Sequence, residues 1–431
     1  MALLSRHMAR LGTENAFHVV PFIQQVEARG LRVIRCNIGE PDFPMPAHIR
    51  EELKRQIDAG NTKYCDPQGI LPLRKAIADH LSAQGVPAAP ERVVVFPGAK
   101  PTVGLTQHAY LDPGDEVIYP SPGFPIYESF TGYLGASPMP LFLHQESGFT
   151  FSGDDLAALI TRRTKLLFLN FPSNPTGGVA TRAQLEEIAE VVRTRLPPGA
   201  RVMSDEIYQD IVFDGFVQQS IASLPGMAER TIVASGVSKS YAWTGGRVGW
   251  ALFPTEEEAQ AFRNLNINYF TCVSAYAQEA ARVALESPLS KPAVRKMVDS
   301  FQHRRDVVVR ALNAVDGVSC VTPKGAFYVF PDVGGMCERL GILAAYAALP
   351  PGRRARTTPA TLLQMFLLLH HGVATLDRRS FGAIGGDRDH HLRISTATSL
   401  EDLEEAMRRI AQASGDAAGF AEFMRDPQGV W

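Results

Sequence analysis

The stretch Ser235–Arg247, SGVSKSYAWTGGR, sets a lysine among small residues and ends on an arginine. A lysine that condenses with a carbonyl must attack as the neutral amine, and burial or a nearby cation pushes its pKa down to allow that. The small neighbours of Lys239 leave room beside it for a planar partner. Arg247, permanently charged and planar, suits a phosphate dianion. The same stretch also reads as a surface lysine and arginine on a glycine-rich loop.

Further residues of this kind recur along the chain, each with an ordinary reading beside it. Gly98-Ala99-Lys100 follows the apolar run Val93–Phe96 and opens a helical stretch; N–H groups there bind phosphate, or form a plain strand–helix turn. Phe124 lies between prolines and suits stacking on a heteroaromatic ring, or simple packing in a core. Asn174, in NPTGG, offers an amide to a phenolate or carboxylate oxygen, or caps its own turn. Asp205 and Tyr208 follow an apolar strand. They suit a protonated ring nitrogen and its neighbouring oxygen, or a helix N-cap and a packing tyrosine. Arg393 sits inside the apolar run Leu392–Ser395, where an unpaired cation is costly. A carboxylate clamp or an internal salt bridge accounts for it. Tyr64, alone, reads as an exposed loop tyrosine.

The elements that position these residues alternate. Short apolar runs (93–96, 116–119, 166–170, 202–204, 231–234, 248–253) alternate with helical stretches such as 71–84 and 182–195. That rhythm predicts an α/β fold with a mostly parallel, doubly wound sheet. The polar and glycine motifs fall at the C-terminal ends of its strands, where open α/β sheets hold ligands. Residues 259–286 read as helical, 295–313 as a long charged helix, 31–38 as a strand and 318–330 as a strand pair. Later helices and strands are segregated from the first sheet, which predicts a second, smaller α+β domain. The expected division is residues 1–45 as an arm and part of the small domain, 46–290 as the large domain, and 291–431 as the small domain. Residues 350–359 read as an exposed basic loop, and 413–431 as a weakly structured tail.

The totals are those of an ordinary globular chain: 431 residues, 45 % apolar, 20 % charged, formal net charge −2. They allow a large core and give no electrostatic case for nucleic acid or an anionic membrane. The five cysteines form no CxxC pair, so neither a zinc site nor a disulfide framework is expected, and no metal is. The sequence has no signal-like N-terminus and no membrane-length apolar run, which predicts a cytoplasmic protein.

Taken in order, ten stretches resemble the class I/II aminotransferases, pyridoxal-phosphate enzymes with the aspartate aminotransferase fold. They are NIGEPDF (37–43), KYCDPQGILPLRKAI (63–77), FPGAK (96–100), SPGFPIYES (121–129), NFPSNPTGG (170–178), SDEIY (204–208), SIASLPGMAERTI (220–232), SKSYAWTGGRVGW (238–250), PKGAFYVFP (323–331) and LRISTATSLEDLEEA (392–406). The resemblance implies that pyridoxal 5′-phosphate is the cofactor and that Lys239 is its Schiff-base lysine and proton carrier. It implies that Asp205 holds the ring nitrogen protonated, making the ring an electron sink. Tyr208 and Asn174 would bond the phenolate oxygen and Phe124 would stack on the ring. Gly98, Ala99, Lys100, Ser238 and Arg247 would hold the phosphate. Tyr64 would reach the phosphate of a neighbouring subunit, implying a homodimer. Arg393 would clamp the substrate α-carboxylate with help from Asn174 and the Gly39 backbone.

The sequence departs from the family pattern in places. Gly236 stands where many members carry Ser or Thr, leaving a phosphate hydroxyl to Ser238 or Ser235. Gly246 stands where many carry Trp, with Trp243 nearby, which either opens space or repacks. The segment 341–359 reads as a variable insertion. The resemblance implies transfer of an α-amino group from an L-amino acid to a 2-oxo acid. The partner couple would be glutamate/2-oxoglutarate and the donor of aspartate or aromatic type. The same lysine and electron sink also suit a lyase or a cyclase. A non-catalytic regulator with an added DNA-binding domain is a third reading; residues 1–36 before NIGEPDF are too few for that domain.

Overall fold

The computed structural model describes residues 3–12 and 15–427. A short strand, β1 (Ile34–Arg35), precedes the main sheet. That sheet comprises β2 (Val93–Phe96), β3 (Glu116–Ser121), β4 (Ser137–Phe142), β5 (Thr164–Leu169), β6 (Arg201–Asp205), β7 (Thr231–Gly236) and β8 (Gly249–Leu252). Their order is β2-β8-β7-β6-β5-β3-β4. Every pairing from β7 to β4 is parallel, and β8 runs antiparallel to both β7 and β2. The C-terminal ends of β2, β3, β5, β6 and β7 therefore share one edge.

Apart from the edge strand β4, these strands read as apolar runs because both faces are covered. All four residues of β2 are buried, as are all of β6 except Arg201. The helix Arg182–Arg195 shows how the covering is built. Thr181 and Gln184 form a reciprocal capping box at its start, and Leu185, Ile188, Ala189 and Val192 form its buried stripe.

Four short strands follow: β9 (Tyr328–Val329), β10 (Val373–Ala374), β11 (Leu376–Asp377) and β12 (Leu392–Ser395). β12 lies between β11 and β9, antiparallel to both, and β10 pairs with β1 in parallel. The Ser395 N–H donates to the Cys36 carbonyl at 2.8 Å, tying the NIGEPDF loop to β12. A separate core of Val308, Phe366, Met407, Phe420 and their neighbours backs this region.

Several expectations are corrected. Residues 259–286 are two helices, Glu256–Tyr269 and Ala275–Glu286. Thr271 between them has φ +66°, a left-handed conformation that ends a right-handed helix. The strand expected over 31–38 is only β1. The pair expected over 318–330 is only β9, with isolated bridges Ser319–Asp332 and Val212–Gly325; Ala326, left-handed at φ +55°, interrupts the extended chain before β9. Residues 350–359 contain a single helical turn, Pro351–Arg354, followed by the buried Thr357 and Thr358. The expected tail carries the helix Ala417–Phe423, with Phe420 and Phe423 buried. Burying each aromatic contributes about 1.5–3 kcal/mol, which a polar-looking stretch conceals. Residues 428–431 of that tail, and 1–2 and 13–14 of the expected arm, lie outside the described residues.

Candidate active site

The shared edge of the main sheet gathers the candidate side chains. β2 runs into Pro97-Gly98, and the helix Ala99–Tyr110 begins there with Gly98 at φ +94°. A Cβ on Gly98 would lie 2.0 Å from Arg247 Nη2, so only glycine lets the guanidinium approach the helix start. Arg247 itself is left-handed at φ +49° and exposed; its Nη1 donates to the Thr244 carbonyl at 2.8 Å and its Nη2 to the Pro97 carbonyl at 3.3 Å. A non-glycine residue held there costs about 1–3 kcal/mol, and such strain collects at functional sites. The cradle combines helix N–H groups with a cation and suits a phosphate.

β6 ends on Asp205, whose carboxylate is buried. Tyr127 donates to Oδ2 at 2.9 Å and the Ile207 N–H donates to Oδ1 at 3.4 Å. Burial raises this carboxyl to about 6, against the lowering effects of those two donors and of the Lys239 charge. Asn170, just past β5, donates to the Asp205 carbonyl at 2.9 Å and accepts from the Asn174 N–H at 2.9 Å. It thereby fixes the NPTGG turn against the end of β6. The ring of Phe124 stands edge-on to Tyr127 at 5.7 Å, with Lys100 Nζ 5.7 Å from its centroid.

Lys239, three residues past β7, donates to the Gly39 carbonyl and lies 5.9 Å from the ring centroids of both Tyr208 and Phe327. On the other side, Arg393 of β12 donates from Nη1 to Asn174 Oδ1 at 2.9 Å and from Nη2 to the Asn37 carbonyl. Its guanidinium lies over Tyr328 at 4.5 Å and Phe381 at 4.8 Å. Lys239, Asp205, Tyr208, Asn174, Arg393 and Gly39 are thus drawn into one neighbourhood, with Gly98, Lys100, Phe124 and Arg247 along the same sheet edge. Ser238 is buried beside Lys239. Tyr64 is 86 % exposed.

Two glycines of the sequence are explained by space. A Cβ at Gly236 would press within 2.9 Å of the Gly249 Cα and the Val248 carbonyl. At Gly246 it would sit 2.1 Å from Trp243 Cε2. The indole of Trp243 fills the space, so this departure is a repacking and opens no gap. The Ser235 hydroxyl is engaged by the Glu206 carbonyl at 3.3 Å.

Residue-by-residue reading missed two tyrosines of the site. Tyr127 lies within SPGFPIYES and Tyr328 within PKGAFYVFP, yet nothing in their spacing shows that one bonds Asp205 and the other Tyr208, at 2.7 Å.

The sequence pattern of the family Aminotransferase class I and II matches residues 32–410. The chain is 37% identical over 412 residues to the aspartate/prephenate aminotransferase of Cereibacter sphaeroides, covering 95% of this chain and 98% of that protein. It is 34% identical to aromatic-amino-acid aminotransferase 2 of Thermococcus litoralis, over 89% of this chain and 92% of that one. The solved aspartate aminotransferase from Rhizobium meliloti superposes with a TM-score of 0.85 at 32% identity, covering 96% and 99% of the two chains. The protein belongs to the class I and II aminotransferases. It is a pyridoxal-phosphate-dependent transaminase, acting between an amino acid and a 2-oxo acid. The residues present fit that cofactor: a Cβ-intolerant phosphate cradle beside Arg247, a buried carboxylate and a lysine amine stand along one edge.

Proposed function

We propose that this site transfers the α-amino group of an L-amino acid of aspartate or aromatic type to a 2-oxo acid, with glutamate/2-oxoglutarate as the partner couple, in a ping-pong cycle. One observation carries the reading of the site. The Lys239 amine lies 5.9 Å from the Tyr208 ring, the Asp205 and Arg393 charges both act on Tyr208, and Arg393 lies over Tyr328, whose hydroxyl is 2.7 Å from that of Tyr208. The names of the relatives support the donor class.

Bound cofactor supplies an aldehyde for the amine and a ring that withdraws the electron pair left at Cα. The chain's own residues do the rest. Arg393, steadied by Asn174, would hold the substrate α-carboxylate bidentately, with the Gly39 backbone assisting. Lys239 would hold the cofactor at rest and, once displaced, would carry the proton away from Cα. Asp205 would keep the ring nitrogen protonated. Tyr208 and Asn174 would donate to the phenolic oxygen, and Phe124 would stack on the ring. Gly98, Ala99 and Lys100, chiefly through backbone N–H groups, hold the phosphate with Ser238 and Arg247. Ser235 is occupied within the sheet, which favours Ser238.

The exposure of Tyr64 supports its reaching a second subunit, and we read the active form as a homodimer, in the cytoplasm. The division at residues 46 and 291 also belongs to this reading, with the main sheet inside 46–290 as its support.

The test is a single half-reaction. Cofactor-loaded protein is mixed with one L-amino acid at a time, without an acceptor. One equivalent of the matching 2-oxo acid per subunit is expected from aspartate, glutamate or an aromatic donor, and none from Lys239→Ala. Release of ammonia, or an unaltered amino acid across the whole set, would overturn the proposal.

A further inference from the structure

We propose that Tyr328 is a positioning residue that aims the Tyr208 hydroxyl at the cofactor and links that aim to Arg393 and to the Gly39 loop. The inference rests on the reading that Tyr208 faces the phenolic oxygen.

Tyr328 is the first residue of β9 and is buried. Its hydroxyl lies 2.7 Å from the Tyr208 hydroxyl. Each phenol has one proton to donate. If Tyr208 donates to Tyr328, no proton remains for the cofactor oxygen. If Tyr328 donates, the Tyr208 proton points onward. The Arg393 guanidinium over the Tyr328 ring selects between these states. A cation on that face draws electron density from the phenol and makes Tyr328 the better donor. Donation into Tyr208 then strengthens the bond Tyr208 makes in turn.

The third contact is steric. A Cβ on Gly39 would lie 1.9 Å from the Tyr328 hydroxyl oxygen, so the backbone of the NIGEPDF loop rests against that oxygen. The loop is anchored from outside by Arg304, which donates to both carboxylate oxygens of Asp42 at 2.7 and 2.9 Å. The Tyr328 hydroxyl therefore lies where the cofactor side, the substrate clamp and this loop meet. Among the described residues, Arg393, Asp205 and Tyr127 act on Tyr208, the Lys239 amine lies 5.9 Å from its ring, and the Arg393 guanidinium lies over Tyr328. Burial pushes the Tyr208 ionisation far up, so Tyr208 keeps its proton to donate.

The experiment is a pH titration of the visible absorbance of the cofactor-loaded protein, which reports protonation of the cofactor–Lys239 linkage. Weaker donation to the phenolic oxygen leaves that linkage more basic. Tyr328→Phe is expected to raise its pKa by about half a unit or more. Tyr208→Phe should raise it further, and the double variant should match Tyr208→Phe alone. Gly39→Ala, whose new methyl displaces the same hydroxyl, should shift it in the same direction and serves if Tyr328→Phe folds poorly. An unshifted titration in these variants, or shifts that add in the double variant, overturns the inference. If the parent protein shows no pH-dependent band that Lys239→Ala removes, the reading of the site falls and this inference with it. A parent band with no shift in the variants leaves that reading standing and removes only the role of Tyr328.

Discussion

The Tyr127 hydroxyl donates to Asp205 Oδ2 at 2.9 Å, and the Tyr127 ring stacks on Phe168 at 4.5 Å. Stacking fixes the ring and the hydroxyl fixes the carboxylate. Tyr127→Phe keeps the first and removes the second. A hydrogen bond to a charged acceptor is worth about 1.5–3 kcal/mol. Loss of this one also lets the Asp205 carboxyl rise further, because Tyr127 holds it down. Cofactor affinity is expected to fall by about 10- to 100-fold, with secondary structure intact. Equilibrium dialysis of the cofactor measures this, and an unchanged Kd would remove Tyr127 from the site.

Asp205 also predicts a pH dependence in the cofactor-free protein. Its carboxyl is raised by burial to about 6, against about 3.9 in the unfolded chain. Between these values the native state keeps a proton that the unfolded chain has released. Stability therefore falls as pH rises through that window and is level above it. Asp205→Asn has no such proton. The stability of the variant relative to its parent should increase from about pH 4 to about pH 6, by about 3 kcal/mol at most, and then stay constant. The neighbouring Glu206, raised to about 7 by burial, is common to both proteins and largely cancels. Urea melts of both proteins at a series of pH values decide it. A difference that is flat with pH, or that falls, would contradict the assignment.

Six of the seven strands of the main sheet were legible as apolar runs, with functional turns following them; the edge strand β4, with two prolines and mostly half-buried residues, was not. Helices with an evident stripe and cap, such as Arg182–Arg195, were read with correct ends. The extents of β1 and β9, short strands set by tertiary pairing, were not legible. β1 holds only two residues and exists because β10 lies beside it. The residues the structure draws together were legible as separate motifs, each with an ordinary reading beside it, and it is their order along the chain that resembles the family. Their hydrogen-bonding partners were hidden. Tyr127 and Asp205 are 78 positions apart, and Tyr208 and Tyr328 are 120 apart, separations that no local periodicity encodes.

Arg393 should bind every substrate through the group they share. Its guanidinium is buried and braced by Asn174 and the Asn37 carbonyl. Removing one partner of a buried, hydrogen-bonded charge pair costs about 2–5 kcal/mol. Arg393→Ala is expected to lower kcat/KM by about 10²–10³-fold for every amino acid accepted, chiefly through KM. Lysine at this position should recover little, since it cannot form the bidentate pair. Steady-state kinetics with an aspartate-type and an aromatic donor test this. A loss confined to one donor would move Arg393 to the side-chain pocket.

Trp243 and Gly246 should behave as a single packing unit. The indole occupies the position that a side chain at 246 needs, with only 2.1 Å left for a Cβ. Gly246→Trp therefore forces Trp243 out of a buried position, and overpacking of this kind costs about 1–3 kcal/mol. Trp243→Ala leaves a cavity and costs about 3–5 kcal/mol. The double variant places a large ring in the vacated space, so its loss should be clearly smaller than the sum of the single losses. Residues in contact commonly show coupling of about 0.5–3 kcal/mol. Denaturant melts of the four proteins give the cycle directly. Additive losses would mean that the two positions do not compete for one space, and the glycine at 246 would then need another cause.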